Sequence, residues 1–267
     1  MLTLVKVSTK ATEVLLYPFK SLHPFWGILW LSIISSVIIL FIYKWISSPT
    51  LIRKAKDRIK ADILAIRIYK DQWKVIIYSF FSALFNVVKY FLLNLMPLIV
   101  IFPVLFFLFV QMEWRYGVRP FKPGEETIVK VKTTDGIDVN LQPSDFYREE
   151  VKVRIPALNE VDFRVKIEGK GKGMLFFETE NSKFSKEIVS SIRGVVIIPV
   201  RFSHPSLEML LYPWEPPLEN PEIQWIRVNY PSTTIKFLGI NAHWIIWYLV
   251  LVVVLVLPVH KKFGIEF

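Results

Sequence analysis

The chain has 267 residues, of which 53% are hydrophobic, and it contains 21 Phe and 9 Trp. A soluble domain of this size rarely needs so much apolar and aromatic surface, so the composition favours a membrane protein. The formal net charge of +10 suits an anionic partner, either lipid or nucleic acid. The absence of cysteine excludes disulfides, thiolate metal sites and cysteine nucleophiles.

Three apolar runs predict transmembrane helices. An amphipathic segment over residues 1–24 precedes the first span, residues 25–46, which is long enough to cross a hydrocarbon core of ~30 Å. A second span is expected over residues 91–112. The third span, residues 243–260, is shorter; aromatic side chains begin it and a basic tail, residues 261–267, follows it, which is typical of interfacial anchoring.

The basic segment between the first two spans, residues 47–90, is predicted to form a helical hairpin packed like a short coiled coil. Apolar residues recur every three or four positions through residues 50–74, and cations fill much of the rest, which indicates an amphipathic helix. Asp71 suits the turn before a second helix. The cations expected to bind a partner or lipid are Arg53, Lys54, Lys56, Arg58 and Lys60.

Two interpretations of these cations remain open. They either lie among anionic lipid head groups, at roughly 1 kcal/mol each, or form a docking surface for an acidic partner. No specific nucleic acid is expected, because the segment has few exposed aromatic side chains on which bases could stack.

The positions of the cations also predict an orientation. Short loops rich in Lys and Arg stay in the cytoplasm, so residues 47–90 and 261–267 are expected inside and the N-terminus outside. Residues 113–242 then form an extracytoplasmic domain, which is periplasmic in a bacterium. The predicted fold class is a membrane α-helical protein with three transmembrane helices, N-out and C-in, plus an extracytoplasmic all-β sandwich-like domain, in the inner or plasma membrane of a prokaryote.

The outer domain shows the alternation of apolar and polar residues that is typical of strands. Residues 182–193 are instead predicted to form a helix closed by Gly194. Hairpin turns are expected at Asp135-Gly136 and in the glycine-lysine stretch at residues 169–173. Seven short strands are predicted, which favours a β-sandwich, over residues 127–132, 151–155, 161–167, 174–177, 195–202, 223–228 and 233–237.

No motif points to enzymatic chemistry, and the protein is predicted not to be an enzyme. The glycine-lysine stretch lacks the Gly-Lys-Ser/Thr ending of a phosphate loop. The four histidines are isolated in sequence without ligand-like spacing, so neither a metal nor another cofactor is expected. No Asp or Glu lies inside a predicted span, which disfavours a proton-coupled pump or transporter.

Polar side chains within the apolar helices are candidates for an intramembrane groove. They are Ser32, Ser35 and Ser36 in the first helix, and Asn86, Lys89 and Asn94 along an arc of the second. One interpretation is helix-to-helix packing, with Lys89 reaching the cytoplasmic head groups. The other is a hydrophilic groove, open to the cytoplasm, that lowers the cost of moving polar polypeptide into the bilayer.

The order of these parts carries a resemblance to a known family. The residues concerned are Trp26, Ser48-Pro49, Arg53-Lys54-Ala55-Lys56-Asp57-Arg58-Ile59-Lys60, Lys89-Tyr90 and Met96-Pro97. In this pattern the chain resembles the core of the Oxa1/YidC/Get1 insertase superfamily, and most of all its small archaeal members. Two features depart from that pattern: a β domain stands between the second and third helices, and the first helix has no buried arginine.

The resemblance implies a factor for membrane-protein insertion or assembly, with Asn86, Lys89 and Asn94 in its groove. Its partners would be anionic lipids and either nascent membrane proteins or a ribosome or targeting factor. The alternative is a non-catalytic accessory or scaffold subunit of a cell-envelope complex, which binds a stable partner through the external β domain.

Overall fold

The computed structural model describes residues 2–134, 137–192 and 194–259. The chain divides into two compact units. The β unit comprises the residues up to Ile28 together with Phe107–Trp247, and the helical unit comprises Leu29–Phe106 together with the chain from Tyr248 onward. The turn predicted at Asp135-Gly136 and the basic tail predicted over residues 261–267 lie outside the described residues.

Five α-helices account for the apolar runs and the basic segment. They are α1 (Leu2–Leu16), α2 (Pro24–Ile46), α3 (Pro49–Ile68), α4 (Trp73–Met112) and α5 (Trp244–Val259). Of the helices in the described residues, α2 and α4 are long and apolar enough to cross a membrane, whereas α5 is apolar but has only 16 residues. At 1.5 Å per residue α5 is about 24 Å long.

Helix α4 is one continuous element of 40 residues. The boundary expected between the hairpin and the second span, at residues 90 and 91, therefore falls inside a helix. Both Pro97 and Pro103 lie within it, and a π-helical turn, Glu113–Gly117, extends it. Its length of about 60 Å is twice the thickness of a hydrocarbon core.

Helices α3 and α4 form an antiparallel hairpin joined by a short turn at residues 69–72. The side chains of Ile52 and Ala55 on α3 are buried, as their apolar periodicity predicts. Asp62 is buried as well, and it receives a hydrogen bond from Ser82 on α4 at 2.7 Å. The periodicity thus identified part of the packed face, but a carboxylate occupies a position where an aliphatic residue would be usual.

Two antiparallel sheets make up most of the β unit, and a short β9–β10 hairpin accompanies them. One sheet has the order β3-β4-β1-β8-β7 and the other the order β2-β5-β6. The strands are β1 (Glu126–Thr133), β2 (Asn140–Leu141), β3 (Tyr147–Ile155), β4 (Glu160–Ile167), β5 (Gly171–Glu178), β6 (Lys183–Ser190), β7 (Val200–Phe202), β8 (Ile223–Val228), β9 (Ile235–Phe237) and β10 (Ile240–Ala242).

The two larger sheets share one hydrophobic core, as in a sandwich. Val129 of β1 and Phe163 of β4 are opposite each other in the register of the first sheet, and both are fully buried. Leu175 and Phe177 of β5 contribute to the same core from the second sheet. The alternation of apolar and polar residues that predicted these strands is therefore confirmed, because every second side chain lies between the sheets.

The helix predicted over residues 182–193 is wrong, since Lys183–Ser190 form strand β6 and pair with β5. The alternation was hidden by Lys186, a charged residue whose side chain points inward and is fully buried. The glycine-lysine stretch is not a hairpin turn either. Its first two residues lie between β4 and β5, which belong to different sheets, and its last three begin β5. Gly169 and Gly173 leave room for the ring of Phe146.

Candidate functional site

A ladder of polar side chains runs along the seam of the α3–α4 hairpin. Arg58 lies 3.7 Å from Asp62, one turn away on α3, and Asp62 accepts the hydrogen bond from Ser82. One turn further along α4, Asn86 donates to the carbonyl of Ser82 at 2.8 Å. Asn86, a predicted groove residue, therefore lies one turn from the Ser82–Asp62 contact and bonds within its own helix.

The opposite side of α4 is apolar, aromatic and exposed. Only 17% of the most apolar stretch of this helix is buried, which distinguishes it from the core helix of a soluble protein. The hairpin is thus arranged inside out, with polar groups in its seam and aromatic groups facing outward. The outward side chains on its first half are Ile77, Tyr78, Phe80, Phe81, Leu84, Phe85, Val88, Phe91 and Leu92.

Helix α3 carries exposed positive charge. The five cations predicted to bind a partner or lipid, Arg53, Lys54, Lys56, Arg58 and Lys60, are all exposed. Since these two helices belong to one unit, the hairpin combines a cationic surface with an apolar one. Anionic lipids, and apolar polypeptide segments with acidic residues at their ends, would complement both surfaces.

The remaining groove candidates lie in different surroundings. Ser32, Ser35 and Ser36 on α2 are buried, and Ser35 accepts a hydrogen bond from the hydroxyl of Tyr248 on α5 at 2.9 Å. These are contacts of helix packing. On α4, Lys89 is exposed, and Asn94 donates to a carbonyl of its own helix, that of Tyr90, at 2.8 Å.

The β unit contains a buried ion pair that the sequence pattern did not reveal. The ammonium of Lys186 contacts the carboxylate of Glu215 and donates to the carbonyl of Ile198 at 2.7 Å. Burial lowers the pKa of Lys186 and raises the pKa of Glu215, because removal from water disfavours both charged forms. The pair attaches the proline-rich loop that carries Glu215 to strand β6. A lysine flanked by alternating apolar residues was the only signal for it.

A second polar cluster holds a turn of the β unit in place. The carboxylate of Glu222 accepts hydrogen bonds from Thr179 at 2.7 Å and Asn181 at 2.9 Å, and these bonds lower its pKa, that from Asn181 most. Within the described residues no group of three or more His, Asp and Glu is arranged to hold a metal ion. The cluster has the features of a structural network.

Comparisons of the chain with protein-family models, with curated proteins and with solved structures found no match.

Proposed function

We propose that this chain is a non-enzymatic factor for the insertion or assembly of membrane proteins, of the Oxa1 type. It receives an apolar segment of a newly made protein on the outward face of the α3–α4 hairpin. The observation that carries the proposal is the inside-out hairpin, in which Phe81 and Phe85 are 63% and 69% exposed while Ser82 donates across the seam to Asp62.

Each part of the hairpin has a role in this proposal. The aromatic face of α4 binds an apolar segment by removing apolar surface from water, which is favourable by about 25 cal/mol per Å² buried. The cations of α3 attract anionic head groups or the acidic flanks of the segment. The seam between Asp62 and Ser82 keeps the hairpin closed, so that the aromatic face stays on the outside.

The proposal includes a membrane placement with three spans, N-out and C-in, in a prokaryotic inner or plasma membrane. Two exposed tryptophans, Trp26 and Trp45, stand near the two ends of α2. They are 19 residues apart, which is about 28 Å along a helix and suits the two interfaces of a bilayer. Helix α5 would be the third span, and its side-chain contact with α2 through Tyr248 supports that assignment.

Photo-crosslinking from the full-length protein in native membranes tests the proposal. Probes at Phe81 and Phe85 are expected to capture apolar segments of many newly made membrane proteins. Probes at Leu207 and Leu238, which are even more exposed, at 79% and 84%, in the β unit, serve as controls and should capture few of them. Capture of one stable partner from every position would contradict the proposal.

Charge reversal tests the cationic side of the hairpin. Changing Arg53, Lys54, Lys56 and Lys60 to Glu removes about 1 kcal/mol of attraction for each cation, so the yield of inserted substrate should fall by well over tenfold. The substituted protein is reconstituted in vesicles, and insertion is measured by protease protection. The matched control reverses four exposed cations of the β unit, namely Lys122, Arg164, Lys170 and Lys236. Equal losses in both variants would exclude a specific role for α3.

A scaffold role for the β unit is the second candidate. It is favoured by Val151 and Val153 on the edge strand β3, which are 46% and 48% exposed although strands usually bury such residues. Under that alternative, Val151→Asp with Val153→Asp should release a stable envelope partner in co-purification from solubilised membranes. The charge reversal on α3 should then leave the partner bound.

A further inference from the structure

Helix α1 carries apolar side chains on two opposite faces. One face packs inside the β unit, where Val5 and Leu16 are buried. The other face is exposed: Leu4 is 60%, Val7 58% and Val14 73% accessible to solvent. Together with Ala11 these residues recur every three or four positions, so they form one continuous stripe along the helix.

Contacts within the β unit hold the middle of α1 next to the last turn of α4. The hydroxyl of Thr9 accepts a hydrogen bond from Gln111 at 3.0 Å, and Gln111 is the second-last residue of α4. The same hydroxyl accepts the backbone N–H of Trp214 at 3.1 Å. Thr9 lies halfway along α1, so the helix is held by its middle at the end of a candidate membrane span.

A second set of contacts links the end of α1 to the start of α2. A side chain at Gly27 would contact Leu16 of α1 and would collide with the hydroxyl of Tyr116. The neighbouring Trp26 is 47% exposed, as expected for a tryptophan at a membrane interface. Both candidate spans therefore have an end beside α1.

We propose that α1 lies in the bilayer interface as a monotopic helix, with Leu4, Val7 and Val14 inserted among the acyl chains of the leaflet in which α2 begins. The cations of α1 suit a lipid surface as the partner of this stripe. The exposed Lys10 lies beside the stripe, and the ammonium of Lys6 lies 4.7 Å from the ring centre of Trp214. Lysine and tryptophan side chains have an apolar body and a polar tip, which suits the head-group region of a bilayer. This inference rests on the membrane placement of α2 and α4 and does not require insertase activity.

Site-directed spin labelling of the full-length protein in vesicles tests the proposal, and the absence of native cysteine makes single labels straightforward. Labels replace Leu4, Val7 and Val14 on the stripe. Matched controls on the same helix replace two exposed charged residues, Lys10 at the polar border of the stripe and Glu13 on a different side. Collision rates with oxygen and with a water-soluble nickel complex then give the depth of each label.

The stripe labels are expected about 5–10 Å below the head groups, accessible to oxygen and shielded from nickel, while the control labels collide with nickel freely. High nickel accessibility at all five positions would place α1 in water and overturn the proposal. Shielding of the stripe from both reagents would also overturn it, because a protein surface, from a second copy or another partner, would then cover the stripe. The readout is a position in the bilayer, so it is independent of whether the protein inserts substrates.

Discussion

At the scale of single residues, Lys186 and Glu215 show how a buried charge organises a loop. The ammonium has no solvent contact, and its partners are a carboxylate and the carbonyl of Ile198. A buried ion pair of this kind contributes little net stability, because the desolvation of both groups offsets their attraction. Its effect is to specify which loop lies against strand β6.

Removing one member of this pair should be costly. Lys186→Met leaves the carboxylate of Glu215 buried without its cation, and we expect a loss of about 3–5 kcal/mol in the free energy of unfolding. Replacing both residues, Lys186→Met with Glu215→Leu, should recover most of it. Denaturant unfolding of the full chain in detergent measures these changes. The control, Lys172→Met, removes an exposed bridge to Glu187 and should cost less than about 1 kcal/mol.

The ion pair of Arg119 with Glu125 should make the free energy of unfolding depend on pH in the acidic range. Both guanidinium N–H groups donate to the carboxylate at 2.9 Å, and these hydrogen bonds hold the pKa of Glu125 below its usual value. The contribution is therefore present above the usual glutamate pKa and is lost as the pH falls through the lowered one. Glu125→Gln should reduce the loss of stability between about pH 5 and pH 3, measured by unfolding at several pH values. Glu180→Gln, at an exposed turn, is the control for the removal of one carboxylate charge.

At the scale of elements, the α3–α4 hairpin depends on the hydrogen bond between Ser82 and Asp62. The antiparallel arrangement of α3 and α4 brings these two residues together across the seam. A carboxylate in such a seam favours one register, since sliding the helices by a turn would take it away from its hydrogen-bond donor on α4.

Ser82→Ala should loosen this hairpin locally. Loss of the hydrogen bond to this buried carboxylate costs about 1–3 kcal/mol, so amide hydrogen exchange in α3 should accelerate by about 5- to 150-fold. Asp57→Ala is the control, because Asp57 lies on the exposed side of the same helix. If the two variants exchanged alike, the seam hydrogen bond would not hold the hairpin together.

At the scale of the whole molecule, the proposed topology places α3 and the β sheets on opposite sides of a bilayer. Single cysteines at Lys54 and Lys170, both exposed, test it in intact cells. An impermeant thiol reagent should label Lys170→Cys directly and Lys54→Cys only after the membrane is opened. Direct labelling of both variants would rule out this arrangement.

Much of the architecture follows from local patterns. Long apolar runs predicted α2 and α4, and the alternation of apolar residues predicted strands such as β1 and β4, because burial on one side of an element imposes its own period on the sequence. The glycine-lysine stretch near Phe146 was predicted to be a hairpin turn, but the chain there passes from one sheet to the other. Turn residues report local backbone conformation and carry no information on which sheet the next strand joins.

Features that depend on distant partners were decided only by the tertiary structure. Lys186 and Asp62 are charged residues in positions where a pattern expects apolar ones, and their partners, Glu215 and Ser82, lie 29 and 20 residues away. The packing of α1 in the β unit through Thr9 joins residues more than 100 positions apart. Hydrophobic periodicity indicates which side chains are buried. The partner of a buried charge or hydroxyl depends on which groups lie nearby in three dimensions, and local sequence patterns do not show this.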